Sequence, residues 1–184
     1  MKMQKFASFL SAIMMMSSSV PVISASAEEN LLHNADFENG TDGWDSFGGS
    51  SVKTTNDEHH GGNSCLYVFN RSENWQGASF SDETILTAGK TYQFNAWVQS
   101  AESDLIQMQI SYIDSTGNEQ RKEIGGTDSI KGEWSEIQAS FKIPEEAKNI
   151  LIHFQTAEGT NDFMLDDISI TDKLDCSMQS TNMD

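Results

Sequence analysis

The residues in this chain best suited to direct chemistry are one tryptophan in a polar setting and a short set of amides. Trp75 stands in the segment Asn70-Arg71-Ser72-Glu73-Asn74-Trp75-Gln76-Gly77, with no apolar alternation around it. A core tryptophan more often sits inside a strand pattern, so Trp75 is read as a contact for something outside the chain. Its flat ring suits the apolar face of a sugar, because stacking there removes apolar area from water. Amide and imidazole groups would supply donors and acceptors for the hydroxyls. Such groups recur at spacing two, as Gln107, Gln109 and Ser111 in one segment and as His153 and Gln155 in another. A solvated strand face produces the same pattern, and for Gln107 and Gln109 that alternative stays open.

The sets needed for catalysis are harder to find. Glycoside hydrolysis requires two carboxyl groups about 5–10 Å apart across a cleft, whereas the polar strand faces offer Gln, Ser and His. Residue order alone indicates no Ser-His-Asp or Cys-His arrangement, and no Gly-rich loop leads into a helix. His59 and His60 adjoin in an acidic loop, where such residues usually face solvent. A binding protein without catalytic machinery is expected.

Strands must position these groups. Tyr92, Phe94, Ala96 and Val98 alternate with Gln93, Asn95 and Trp97. Ile106, Met108, Ile110 and Tyr112 repeat the pattern, as do Ile150, Ile152 and Phe154. This period of two predicts half-buried strands. Further strands are expected over 51–54, 64–69, 76–80, 120–124, 133–143 and 163–171. Turn signals fall at Asn39-Gly40, Gly61-Gly62-Asn63, Ala88-Gly89-Lys90, Ser115–Asn118, Gly125-Gly126 and Lys131-Gly132. With no long amphipathic helix, the pattern predicts an all-β, two-sheet antiparallel β-sandwich. Trp44, Trp97 and Trp134 are expected to be structural, with the sheet that holds Trp97 left open.

Composition narrows the partners. The chain has 184 residues, with 28 acidic and 11 basic side chains and a formal net charge of −17. Such a surface repels nucleic acid and anionic membranes but accepts neutral polymers. Residues 1–27 read as a secretion signal: Lys2 and Lys5, an apolar run from Phe6 to Met16, then Ala25-Ser26-Ala27. A secreted, monomeric domain over 28–172 and a polar tail over 173–184 follow. Cys65 and Cys176 could pair in an oxidising compartment.

The order of short motifs resembles the carbohydrate-binding modules of family 22, in the wider group with families 4 and 9. The matching pieces begin with Asn34-Ala35-Asp36-Phe37-Glu38-Asn39-Gly40, Gly43-Trp44 and His60–Leu66. They continue with Asn70–Gly77, Gly89–Val98, Gly132-Glu133-Trp134 and Asp162–Ile170. The resemblance implies a jelly roll, like the galactose-binding domains, that binds plant cell-wall polysaccharide, xylan or mixed-linkage β-glucan. It makes Trp75 the sugar-stacking residue. His153 and Gln155 stand where the family usually has an aromatic and an acidic residue facing the cleft. Arg121 takes the place of a second stacking Tyr, and Phe47 that of an Arg. These departures keep a second reading alive, a structural or adhesion sandwich with a degenerate sugar site; a hydrolase of unfamiliar type is a weaker third. The resemblance also implies structural calcium, with Glu38 and Asp166 as side-chain ligands and carbonyls from Asp36 and Asn63.

Overall fold

The structure, a computed structural model, describes residues 28–80, 82 and 84–173. The expected signal peptide, Cys176 and the tail beyond Lys173 lie outside the described residues. The described chain forms strands β1 (Trp44–Phe47), β2 (Ser51–Thr55), β3 (Cys65–Phe69), β4 (Gly77–Phe80) and β5 (Thr91–Ser100). Strands β6 (Asp104–Ile113), β7 (Glu119–Ser129), β8 (Ser135–Lys142), β9 (Lys148–Thr156) and β10 (Phe163–Asp172) follow. They pair antiparallel into two five-stranded sheets, ordered β1-β4-β9-β6-β7 and β2-β3-β10-β5-β8. The expected two-sheet sandwich is the fold.

Alternation decides what each strand turns inward. Tyr92, Phe94, Ala96 and Val98 on β5 are buried, as are Ile106, Met108, Ile110 and Tyr112 on β6. Ile150, Ile152 and Phe154 on β9 join them, facing Leu66, Val68, Phe163 and Leu165 of the second sheet. Each large apolar side chain withdrawn from water contributes about 1.5–3 kcal/mol. Trp44 is also core, packed on Phe37, Phe80 and Phe154. Ahead of β1 the chain runs beside β10: the Leu31 amide donates to the Ile170 carbonyl at 2.8 Å and that of Ile168 to Ala35 at 3.0 Å.

One expectation is corrected. Gly125-Gly126 marks no turn but lies inside β7, beside a register shift against β6 between Met108 and Gln109. A Cβ on Gly125 would stand 2.9 Å from Ala139 Cβ and 3.2 Å from Ile137 on β8, in the other sheet. The glycine permits a close approach between sheets at a bulge. Trp97 is assigned as well: β5 places it in the second sheet, opposite Asp166 and Glu136.

Candidate functional site

The loop between β3 and β4 holds Trp75 out from the body, and a buried arginine fixes that loop. Arg71 donates from Nε to the Gln76 carbonyl at 2.7 Å and from Nη2 to the Asn74 carbonyl at 2.7 Å. Nη2 also donates to Thr156 Oγ1 at 2.5 Å, and Nη1 to the Asn161 carbonyl. Its guanidinium lies 4.9 Å from the Phe163 ring centroid. Burial lowers the pKa of Arg71, with Asp104 and Asp162 acting in the opposite direction. Gln76 adds a second tie: its Oε1 accepts from the amides of Ser72 at 2.6 Å and Glu73 at 3.1 Å, and its Nε2 donates to the Gly48 carbonyl at 2.8 Å. The Trp75 ring rests on Gly48, where a Cβ would come within 2.2 Å of it. Trp75 nevertheless keeps 41% of its surface exposed, in a set of ties that leaves its side chain little freedom.

Beside Trp75 lies the outer face of the β1-β4-β9-β6-β7 sheet. Register sets Phe47 opposite Gly77, Gln155 opposite Gln107, and His153 between Ser79 and Gln109. On β7, Glu123 stands opposite Gln109 and Arg121 opposite Ser111. The amides form a chain: Gln109 Nε2 and Gln155 Nε2 each donate to Gln107 Oε1 at 3.2 Å, and Gln107 Nε2 donates to Glu123 Oε2 at 2.6 Å. The fold thus brings the sequence-derived set Phe47, Trp75, Gln107, Gln109, Arg121, His153 and Gln155 onto one face. Glu123 is an addition. It was hidden in a strand whose alternation is interrupted by the bulge.

His153 is on this face but not open to solvent. The Phe47 ring stacks on it, centroids 4.2 Å apart at 21°, leaving the residue 1% exposed. Trp75 meets Phe47 edge-on at 6.4 Å and 87°. The Arg121 guanidinium, from the opposite edge of the sheet, comes within 5.8 Å of the Phe47 centroid. Burial, then the Arg121 charge, depresses the His153 pKa to about 4, while contact with Gln155 opposes them. Its Nδ1 has no hydrogen-bond partner.

The carboxylates marked for a cation converge on the loop before β3. Asp166, fully buried on β10, accepts through Oδ2 from the amides of His60 at 2.7 Å and Gly61 at 3.1 Å. Its Oδ1 accepts from the Asp167 amide at 2.8 Å. Burial raises its pKa despite these donors, and neighbouring Asp167 adds to the rise. Glu38 Oε1 accepts from the amides of Asn63 at 2.7 Å and Ser64 at 2.9 Å, which lower its pKa. Among the described residues no three of His, Cys, Asp or Glu gather to hold a metal ion. A hard cation here would therefore complete its shell with carbonyls such as those of Asp36 and Asn63, and the spare lone pairs of the two carboxylates fit that role.

Within that loop, His60 stacks on Trp97 at 3.9 Å and 12°, pairs with Asp167 at 2.6 Å, and meets Trp134 edge-on. This gives Trp97 and Trp134 a bracing role, one reached through a histidine that stays exposed, as its acidic loop led us to expect. Cys65 is fully buried, its thiol donating to the Glu58 carbonyl at 3.0 Å, and burial pushes its pKa up to about 12.

Comparison with known proteins follows the same lines. The family model for the carbohydrate binding domain CBM_4_9 matches residues 29–162. Endo-1,4-beta-xylanase A of Thermotoga maritima is 30% identical over 148 residues, 77% of this chain and 14% of that protein. Endo-1,4-beta-xylanase Y of Acetivibrio thermocellus is 33% identical over 151 residues, 80% of this chain and 14% of that protein. The chain thus spans about one seventh of these relatives. The CBM22-1-GH10 modules of Clostridium thermocellum endo-1,4-beta-D-xylanase 10B, complexed with xylohexaose, align at TM-score 0.73 and 31% identity over 80% of this chain and 29% of that one. The C-terminal family 22 carbohydrate binding module of the same enzyme aligns at TM-score 0.75 and 23% identity, over 80% of this chain and 97% of the module, and shares the fold. The family match begins ahead of β1 and runs past the end of β9, through both the Trp75 loop and the amide row, so the chain belongs to the carbohydrate-binding domain family, and its likeness there is to the family 22 modules.

Proposed function

We propose that the outer face of the β1-β4-β9-β6-β7 sheet binds a xylan chain, or a mixed-linkage β-glucan, without cutting it. The observation that carries this reading is Trp75: an exposed ring held by buried ties next to a row of glutamine amides. The ring stacks on one sugar, while Gln155, Gln107, Gln109 and Arg121 answer hydroxyls along the chain. The 31% identity to the CBM22-1-GH10 modules of a xylanase, a two-module structure complexed with xylohexaose, supports xylan. Joined to a hydrolase, such a module raises the enzyme's local concentration at its polymer.

Three companion proposals attach to it. Glu38 and Asp166, with carbonyls of Asp36 and Asn63, would hold a calcium ion, which would supply stability and no chemistry. The protein acts outside the cell after removal of residues 1–27; among the described residues no helix is long and apolar enough to cross a membrane. It binds as a monomer.

Affinity electrophoresis in gels cast with xylan, β-glucan or cellulose tests the main reading. Retardation by xylan that is lost in Trp75→Ala is expected, a drop of at least about tenfold in affinity. If no polymer retards the wild type, the structural or adhesion sandwich stands instead. Release of reducing sugar would favour a hydrolase.

A further inference from the structure

His153 presents a puzzle that sheet packing does not solve. Its ring is on the solvent-side face, yet it is covered, and its Nδ1 is left without a partner. A buried polar atom without a partner has given up its water and gained nothing in return. Sheet pairing uses backbone groups only, so nothing in the fold requires this arrangement. Its cover is the Phe47 ring from β1, and the Arg121 guanidinium from β7, at the opposite edge of the sheet, lies in turn 5.8 Å from the centroid of that ring.

Neither is locked in place through its side chain. Phe47 is the last residue of a four-residue edge strand; its carbonyl accepts from Ser50 Oγ at 3.2 Å and the next residue, Gly48, is held by Gln76, so the ring leaves by rotation of its own side chain over a backbone that stays put. It is only partly buried and stands outside the core. Arg121 is half exposed, and its 2.8 Å ion pair is with Glu119 on its own strand. That pair does not anchor it to the far side of the face.

We propose that Phe47 and Arg121 form a strap that lies over His153 in the free protein, and that a bound glycan displaces Phe47 and pairs a hydroxyl with His153 Nδ1. This rests on the reading that this face is the glycan site. A sugar hydroxyl both donates and accepts, so it satisfies Nδ1 in either tautomer of the neutral ring. Phe47 and the sugar compete for the same ground, and the strap sets how much of the free protein is ready to bind. Arg121, released from Phe47, becomes a donor to the bound chain. Phe47 is then a brake on binding, in contrast to the platform role that its aromatic character suggests.

Calorimetric titration of the full chain with xylohexaose tests this. Phe47→Ala is expected to tighten binding about three- to tenfold, the factor by which a closed state that outweighs the open one lowers apparent affinity. Adding His153→Ala to that variant should cancel the gain. Equal or weaker binding by Phe47→Ala overturns the strap and makes Phe47 a platform or a fixed wall. In the wild type, the imidazole proton resonances of His153 should lose the ring-current shift imposed by Phe47 when xylohexaose saturates the site. Resonances that stay in place overturn the proposal even if Phe47→Ala misfolds. Trp75→Ala is read alongside: wild-type binding lost in Trp75→Ala upholds the glycan face whatever the strap variants do, whereas a wild type that binds no xylohexaose overturns both.

Discussion

Arg71→Lys should damage both stability and binding, although Arg71 faces no ligand. The guanidinium makes four hydrogen bonds, to Gln76, Asn74, Asn161 and Thr156, that converge from the Trp75 loop, the end of β9 and the segment before β10. Lysine keeps the charge but offers a compact ammonium without the planar fork, and reaches at most part of that set. Hydrogen bonds to a charged group are worth about 1.5–3 kcal/mol each, and acceptors left dry add their own penalty. Two lost bonds give a destabilisation of about 3–6 kcal/mol, a large share of the 5–15 kcal/mol typical of a domain. For a domain of this size each kcal/mol moves Tm by about 2–4 °C, so a fall of roughly 10 °C is expected. Loss of the fork also frees the Asn74 and Gln76 carbonyls that flank Trp75, so xylohexaose affinity should fall several-fold below the melting range. Thermal melts by circular dichroism and calorimetric titration measure the two effects. A Tm within about 2 °C of wild type, with unchanged affinity, would refute the anchoring role of Arg71.

Other outcomes follow from single features. Gly77→Ala would place a Cβ 1.7 Å from the Phe154 carbonyl oxygen, a backbone atom that cannot turn aside, so urea denaturation should show a loss of more than about 3 kcal/mol. A loss under about 1 kcal/mol would mean that β4 and β9 have room to separate. His153, whose pKa drops from 6.5 in the unfolded chain to about 4 in the fold, contributes fully above pH 6.5, and its share is lost as pH falls toward 4. The total is about 3 kcal/mol, and His153→Gln should flatten the acid limb of stability against pH over that window. Asp166, with its pKa raised, acts in the opposite sense, since its share fades as pH rises through its folded pKa. A chelator should lower Tm, and added calcium restore it, in the wild type but not in Glu38→Gln or Asp166→Asn; equal sensitivity in all three would remove the proposed calcium site.

The strands were legible because one face of each is buried, which imprints a period of two on Tyr92–Val98, Ile106–Tyr112 and Ile150–Phe154. The glycine pair in β7 misled because local chemistry gives Gly-Gly the look of a turn, while the neighbour that demands Gly125 is Ala139, on another strand of another sheet. For the site, Trp75 stood out because no alternation surrounds it. The motif around it was visible, but its Arg71 gave no sign of being an anchor, because its acceptors are mostly backbone carbonyls, which have no sequence signature. Nor could the covering of His153 be read from β9, since the ring that covers it arrives from β1. His60 is exposed, as its acidic loop implies, but its ring contacts could not be read from the sequence for a similar reason: its partners Trp97 and Asp167 belong to β5 and β10.

The approach of β7 to β8 at Gly125 has a bearing on how such molecules behave in a crowd. A strand at the rim of a sheet offers unpaired backbone groups to any similar strand, and this is a route to aggregation. Here the two longest rim strands, β7 and β8, with 11 and 8 residues, close against each other across the sandwich where Gly125 meets Ala139. The rims left on the other side are β1 and β2, with four and five residues and with Asp45 and Lys53 exposed along them. On the proposal that this face binds a repetitive polymer, bound copies would lie side by side, at concentrations they would not meet in free solution. Short, charged rims and the approach of β7 to β8 would then hinder those copies from joining strand to strand, so that the coat on a fibre need not become a fibre itself.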